Sequence, residues 1–131
     1  MIQQRFIELG EGYSDIYELL ELMSTNFHRI YRAYIFSSKH DSKEQLSLAV
    51  SFSPATENNH FMPIYICREG IRYSADKPSK RYDLFVKHAE SLNKKPVRVE
   101  IKHSSEFAEN ELFYQYITGI LRLNHLLPPL N

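Results

Sequence analysis

Apolar and polar positions near the start of the chain change from a strand-like run to a helical repeat. Residues 6–9 form a short, mostly apolar run that predicts a first strand, and a Gly-x-Gly turn follows it. We expect Gly12 or Gly10 to adopt a positive φ in this turn. Asp15 and Glu18 have the spacing of a capping box, and the apolar positions after Asp15 repeat every three or four residues. The pattern therefore predicts a helix over residues 15–25.

The middle of the chain predicts three consecutive strands. β-branched and aromatic residues are dense over residues 27–36, strict alternation marks residues 46–53, and residues 61–67 form a third run after a polar turn. Three strands in succession favour an antiparallel meander. Residues 71–73 can extend the sheet briefly.

The last third of the chain predicts helix, strand and helix. Ser79 can cap a second helix, and Lys94 and Lys95 end it where positive charge is favoured. Alternation then predicts a fifth strand over residues 97–102. A helical repeat that begins near Ser105 predicts a third helix, which a Pro-Pro pair near the C-terminus ends.

The order of elements predicts an α+β fold in a single domain over residues 1–131. We expect one mixed, largely antiparallel five-stranded sheet, with the three helices mainly on one face. Polar residues alternate along the third and fifth strands, so we expect the second sheet surface to be partly open. Gly119 is expected to let the third helix pack closely on the sheet. We expect one shared core that contains Leu48, Val50, Phe85, Phe113, Ile117 and Ile120.

Composition and charge limit the classes of partner. The chain has 131 residues, of which 43% are hydrophobic, a balance typical of soluble globular domains. Sixteen basic and sixteen acidic residues cancel, which disfavours nucleic acid and anionic membranes as partners. One cysteine, Cys67, excludes an internal disulfide, and no apolar run approaches the roughly 18 to 20 residues of a membrane span. We expect a cytoplasmic protein.

One turn and one pair of cations are candidates for ligand binding. The turn joins the first strand to the first helix, where backbone amides and the helix dipole favour an anion. The two cations begin the second helix, where a bound anion would offset their unfavourable position. The candidate ligand-binding residues are Gly10, Glu11, Gly12, Tyr13, Ser14, Lys80 and Arg81. A capped turn without a ligand is the alternative, because the segment lacks the dinucleotide and P-loop fingerprints and Glu11 would repel a phosphate.

Other chemistry-bearing residues predict no catalytic, metal or cofactor site. The six histidines show no spacing that would place two metal ligands on one element. Cys67 is expected to be a buried small side chain and not a nucleophile. A basic cluster that includes Arg68 and Arg72 can contact a phosphate backbone, but an ordinary solvated loop is the favoured interpretation.

The C-terminal segment is unusually apolar for a chain end. We expect residues 126–130 to be ordered and buried, on this domain or at a subunit interface, together with Leu123.

The opening segment RFIELGEGYSDIYEL, residues 5–19, resembles the start of a family of short, functionally uncharacterised proteins from Gram-positive, spore-forming bacteria and their relatives. This resemblance implies a cytoplasmic bacterial protein, and it implies no activity.

Two hypotheses for function remain open. The first is a non-catalytic binding or regulatory module that self-associates, favoured by the lack of catalytic spacings, the half-polar sheet face and the apolar tail. The alternative is a small enzyme or sensor for a phosphorylated metabolite that uses the turn at residues 10–14. The expected partners are accordingly a second copy of the chain, another protein or a small anionic ligand.

Overall fold

The structure is a computed structural model of the chain, and it describes residues 3–10, 14–56, 58–67, 70–73 and 79–129. This part of the chain confirms the α+β fold. Its strands are β1 (Gln3–Leu9), β2 (Ile30–His40), β3 (Lys43–Phe52), β4 (Phe61–Cys67), β5 (Ile71–Tyr73) and β6 (Val97–Glu100). Its helices are α1 (Asp15–Thr25), α2 (Lys80–Ser91) and α3 (Asn110–Leu123), with short 3-10 turns at Phe27–Arg29 and Ser104–Glu106. None of these helices is both long and apolar enough to cross a lipid bilayer.

The sheet is mixed, as expected. Its order is β1-β4-β3-β2-β6, and the short β5 pairs with β3. The predicted meander β2-β3-β4 is antiparallel, and so is the pair β3 and β5. The outer strands β1 and β6 pair in parallel with β4 and β2. The sheet therefore has one strand more than the five predicted, and that strand is the segment proposed to extend it.

Two hydrophobic cores lie on opposite faces of the sheet. α1 and α2 cover one face, where Leu19 and Phe85 are fully buried. α3 covers the other face, where Tyr34 and Ile117 are fully buried. Two of the three helices thus share a face, and the third closes the opposite one.

The single shared core predicted from the sequence is wrong. The first core contains Leu48, Val50 and Phe85, whereas the second contains Ile117 with Phe113 and Ile120 packed against it. The cores are separate because successive side chains of a strand point to opposite faces, and β2 is apolar on both.

The sheet face under α3 is open only at one end. Ala49 and Ser51, expected on a partly open surface, are completely buried there. Lys43 and Gln45, at the other end of the same strand, are exposed. α3 covers the middle of this face and leaves the hairpin end of β2 and β3 uncovered.

Several element boundaries differ from the sequence pattern. β1 begins at Gln3 and β3 at Lys43, both earlier than predicted, and β2 begins at Ile30, later than predicted. β2 continues through the polar residues 37–40, because that end of the sheet needs no apolar side chains to cover it. β6 ends at Glu100, earlier than predicted, and α3 begins at Asn110, where a separate 3-10 turn precedes it near Ser105. The bounds of α1 and β4 are those predicted.

The predictions for two glycines, the φ angle at Gly10 and close packing at Gly119, have different outcomes. Gly10 has a φ of 64°, so the positive φ expected in the turn before α1 is confirmed, while Gly12 lies outside the described residues. A Cβ atom added at Gly119 would meet nothing within 4 Å, so the predicted close packing of this residue on the sheet is wrong.

The C-terminal segment packs on the protein's own sheet. Leu127 is buried, and the hydroxyl of the buried Tyr34 donates to the carbonyl of Leu126 at 2.8 Å. The Nε2 atom of Gln4 donates to the carbonyl of Pro128 at 2.8 Å. The expected internal burial is confirmed for Leu127, while Leu126 and Pro128 are half-buried. Pro129 is exposed and Leu123 is 82% exposed, so the prediction is wrong for these two residues. Leu130 lies outside the described residues.

Candidate functional site

Arg81, one of the two predicted cations, contacts Asp15, the residue that follows the predicted turn. Arg81 Nη2 donates to both carboxylate oxygens of Asp15 at 2.8 Å, and Asp15 follows the turn directly. The side chain of Asp15 is 0% exposed and that of Arg81 is 13% exposed. Ser14 and Lys80 are exposed, whereas residues 11–13 lie outside the described part of the chain.

The sheet topology explains this convergence. β1 and β4 are parallel, with Leu9 beside Cys67, so both strands end at the same edge of the sheet. α1 begins at that edge, and Arg81 in the first turn of α2 contacts it. Ligands often bind at the carboxyl ends of parallel strands, so the predicted location is physically reasonable.

The chemistry at this edge is that of a buried ion pair. Burial, together with the Asp15 carboxylate, raises the pKa of the Cys67 thiol to about 12, so the thiol stays protonated at neutral pH. Cys67 is buried, as predicted. Because the guanidinium of Arg81 already binds a carboxylate, a phosphate at this edge would compete with Asp15. Phosphate binding by the turn stays a prediction.

A second polar cluster lies at the open end of the sheet. It is a cleft of about 190 Å³, which we call the histidine cleft. Its lining residues are His40, Lys43, Glu44, Gln45, Arg72 and His103.

The β2–β3 hairpin and β5 position most of this cleft. Asp41 and Ser42 form the tight turn with φ angles of 51° and 64°, the positive values that type I′ hairpin turns need. The turn sets His40 directly across from Lys43. Pairing of β5 with β3 sets Arg72 across from Gln45. Since directly opposed residues share a face, all four belong to the uncovered part of the α3 side of the sheet.

His103 completes the cleft from the segment after β6. Its Nδ1 atom accepts from the backbone N–H of Ser105 at 3.1 Å, and the Glu106 carboxylate accepts from the backbone N–H of His103 at 3.2 Å. In the neutral ring the proton is therefore on Nε2, which lies 3.2 Å from Gln45 Oε1. The ring stacks on His40 with centroids 4.5 Å apart.

The negative charge of Glu44, beside the cleft, is paired with Arg98. Its carboxylate accepts hydrogen bonds from the Ser37 hydroxyl and from Arg98, and the bond from Ser37, followed by that from Arg98, lowers its pKa. Alternation places Ser37 and Arg98 on the opposite face of the sheet from the histidines. Within the described residues, the side chains of Lys43 and Arg72 form no ion pair, so they are the cations available to a ligand.

The cleft has no built-in metal site. In the described part of the chain, no three His, Cys, Asp or Glu side chains are grouped to hold a metal ion. The imidazole of His40 lies 3.3 Å from the Asp41 carboxylate, and both side chains are exposed. The cleft is therefore a set of hydrogen-bond donors and cations open to solvent.

Sequence reasoning missed this cleft. Arg72 was recognised within a basic cluster, but His40 and His103 lie far apart in the sequence and show no local spacing that links them. The hairpin register and the parallel pairing of β6 with β2 bring them together.

A wider groove lies between β1 and α3. It has a volume of about 530 Å³, and its lining residues are Gln4, Arg5, Phe6, Asn110, Glu111, Tyr114, Gln115 and Thr118. Phe6 and Tyr114 stack at its floor with ring centroids 4.7 Å apart. Its charged residues, Arg5 and Glu111, are of opposite sign, so the groove has no preference for a ligand of one charge.

Comparisons with curated proteins and with solved structures found no match. One family profile, described as a domain of unknown function (DUF7147), matches residues 1–127. This match covers every helix and strand of the fold, including the segments that form both polar sites. The chain therefore belongs to the DUF7147 family.

Proposed function

We propose that the protein is a non-catalytic binding module that takes the phosphate group of a small metabolite in the histidine cleft. The observation that supports this function is the convergence of Lys43, Arg72 and two stacked histidines on one cleft. The only carboxylate that lines it, among the described residues, is bound by Arg98.

The donor set suits a phosphate. A guanidinium donates two parallel hydrogen bonds to phosphate oxygens, and a lysine adds a point charge. The Nε2–H of His103 lies beside them and donates to Gln45 Oε1; a phosphate oxygen can replace that acceptor, because Nδ1 is held as an acceptor and the proton stays on Nε2. Gln45 orients that ring through its Oε1 atom and can turn its amide nitrogen toward a ligand.

The size of the cleft limits what it holds. Drug-sized ligands occupy pockets of roughly 300–1,000 Å³. A cleft of about 190 Å³ holds a phosphate group and leaves the rest of the metabolite in solvent. This geometry supports recognition of a shared phosphorylated group more than recognition of one particular metabolite.

The lining residues support binding more than catalysis. None of the six described residues that line the cleft carries a hydroxyl or thiol nucleophile. Cys67 is buried in the core on the opposite face of the sheet from the histidines, with a raised pKa.

Titration with inorganic phosphate and with pyrophosphate, followed by amide NMR shifts, tests this function. We expect saturable shifts at His40, Lys43, Gln45 and His103, and a loss of affinity of about tenfold or more in the double variant K43Q and R72Q. The matched control is K87Q and K95Q, which removes two exposed lysines elsewhere. An equal loss in both double variants, or the lack of saturable shifts, would refute phosphate binding in the cleft.

The same titration tests a second candidate, which is phosphate binding at the predicted turn instead of in the histidine cleft. Its support is the position of Arg81 and Asp15 at the carboxyl ends of β1 and β4. Shifts confined to Gly10, Ser14 and the first turn of α2 would assign phosphate to that edge and not to the histidine cleft.

A further inference from the structure

The outward side of α3 carries an exposed apolar stripe. Leu112 is 46% exposed and Leu123 is 82% exposed, and both are among the large hydrophobic side chains that reach solvent. Gly119 and the partly buried Tyr116 lie between them. The spacing i, i+4, i+7, i+11 aligns the four residues along one side of a helix. We call this set of four residues the α3 stripe.

Gly119 has no explanation within the chain. A glycine in a helix interior destabilises the helix relative to alanine. A Cβ atom added here would meet nothing within 4 Å, so the fold gains no packing from its absence. A glycine between two exposed leucines instead permits close approach by a second helix.

We propose that a second copy of this chain docks on the α3 stripe, with the two α3 helices antiparallel about a twofold axis. The stripe is self-complementary in that direction. Leu112 then faces Leu123 of the second copy. The Tyr116 ring stays packed on Phe107, with its hydroxyl accepting from the backbone N–H of Lys102, and only its outer edge borders Gly119 of the second copy. Each contact occurs twice, as an isologous interface requires.

The charges of α3 favour the antiparallel direction over the parallel one. The first turn contains Glu111 and the last turn contains Arg122. An antiparallel pair brings each acidic end near the basic end of the other helix. The two helix dipoles then point in opposite directions, which is the favourable arrangement. A parallel pair would set acidic ends together and place glycine against glycine.

This interface is independent of phosphate binding. It uses no residue of the histidine cleft. Tyr17 and Phe27, the other large exposed hydrophobic residues in the described part, do not belong to α3.

Sedimentation velocity over a range of protein concentrations tests the interface. We expect a dimer for the unmodified chain at micromolar concentration, and a dimer Kd raised at least tenfold by L123E and by G119Q. G119Q is the sharper variant, because its side chain enters open space in the monomer and glutamine is the better helix former. Its thermal unfolding should show an intact monomer.

The matched control is Y17E, which replaces an exposed aromatic side chain on α1 and should leave the dimer unchanged. A monomeric unmodified chain would overturn the proposal. A dimer unaffected by both L123E and G119Q would place the interface elsewhere and overturn it as well.

Disulfide formation distinguishes the direction of the two helices. A mixture of the L112C and L123C variants should cross-link, whereas each variant alone should not. Cys67 is buried and does not interfere. Cross-linking of each variant only with itself would show parallel helices and overturn the antiparallel interface.

Discussion

Two ion pairs in this protein share the same chemistry and differ in burial. Asp15 and Arg81 are 0% and 13% exposed, whereas Glu44 and Arg98 are 20% and 42% exposed. The first pair fills the edge of the sheet that the sequence identified as a ligand site. The second pair neutralises a carboxylate beside the histidine cleft and leaves other cations open to solvent. The comparison shows that Arg81, the cation in the predicted binding position, is held by a completely buried carboxylate, whereas the cation of the exposed pair is held by a carboxylate that is partly exposed.

The largest expected effect is on the rate at which a thiol reagent labels Cys67, the cysteine beside the buried ion pair. With a pKa of about 12, Cys67 is a thiolate in roughly one molecule in ten thousand at pH 8. We therefore expect a thiol reagent to label the native protein at least about a thousandfold more slowly than free cysteine. Labelling should become rapid in denaturant, and rapid labelling of the native protein would show that this edge is open.

The next effect is the loss of the buried pair itself. R81M removes the cationic partner of a completely buried carboxylate, so we expect the free energy of unfolding to fall by about 3–5 kcal/mol. Urea unfolding measures the change, and the double variant D15N and R81M should recover part of it. A loss below about 1 kcal/mol, the value for exposed pairs, would erase the contrast with Glu44 and Arg98.

A smaller effect is expected from the exposed pair, and it depends on pH. The folded-state pKa of Glu44 is lowered, so below the ordinary value of 4.5 the folded state binds fewer protons than the unfolded state. Its stabilising contribution is present above that value and is lost as the pH falls through the folded pKa. E44Q should remove this part of the pH dependence, by no more than about 1 kcal/mol in urea unfolding at pH 3 to 6. An unchanged pH profile in E44Q would contradict the lowered pKa.

The smallest expected change in stability comes from the cleft. A Cβ atom at Gly70 would lie 2.2 Å from Gln45 Nε2, and the flexible glutamine can move away. G70A should therefore cost about 1 kcal/mol or less, while it breaks the contact between Gln45 and His103. Imidazole NMR signals of His103 should change, and phosphate affinity should change with them. Unchanged His103 signals would show that Gln45 does not orient this ring.

The elements could be predicted where the signal is local. The bounds of α1 follow from its helical repeat, and residues 61–67 form a strand as their composition indicates. The predicted capping box of Asp15 and Glu18 is wrong, because Ser14 is the N-cap residue, α1 begins without a side-chain cap hydrogen bond, and the Asp15 carboxylate pairs with Arg81. The polar end of β2 was missed because an uncovered sheet surface needs no apolar alternation. The start of α3 was missed because a 3-10 turn near Ser105 carries the same capping residues as a helix.

The same distinction between local and long-range signals applies to the candidate sites. The turn at Gly10 and its positive φ were predictable, because a glycine between a strand and a helix cap carries a local conformational signal. The ion pair between Arg81 and Asp15 could not be predicted, because it depends on where α2 begins relative to β1 and β4.

The sequence by itself determined the α+β class, the element order and the meander, because caps, periodicity and turn residues act over a few neighbouring positions. Only the tertiary structure decided that α3 lies on the face opposite α1 and α2, because β2 is apolar on both sides and its alternation does not specify which helix covers which face. The tertiary structure also decided that His40 and His103 stack, since strand register brings together residues that are distant in the sequence.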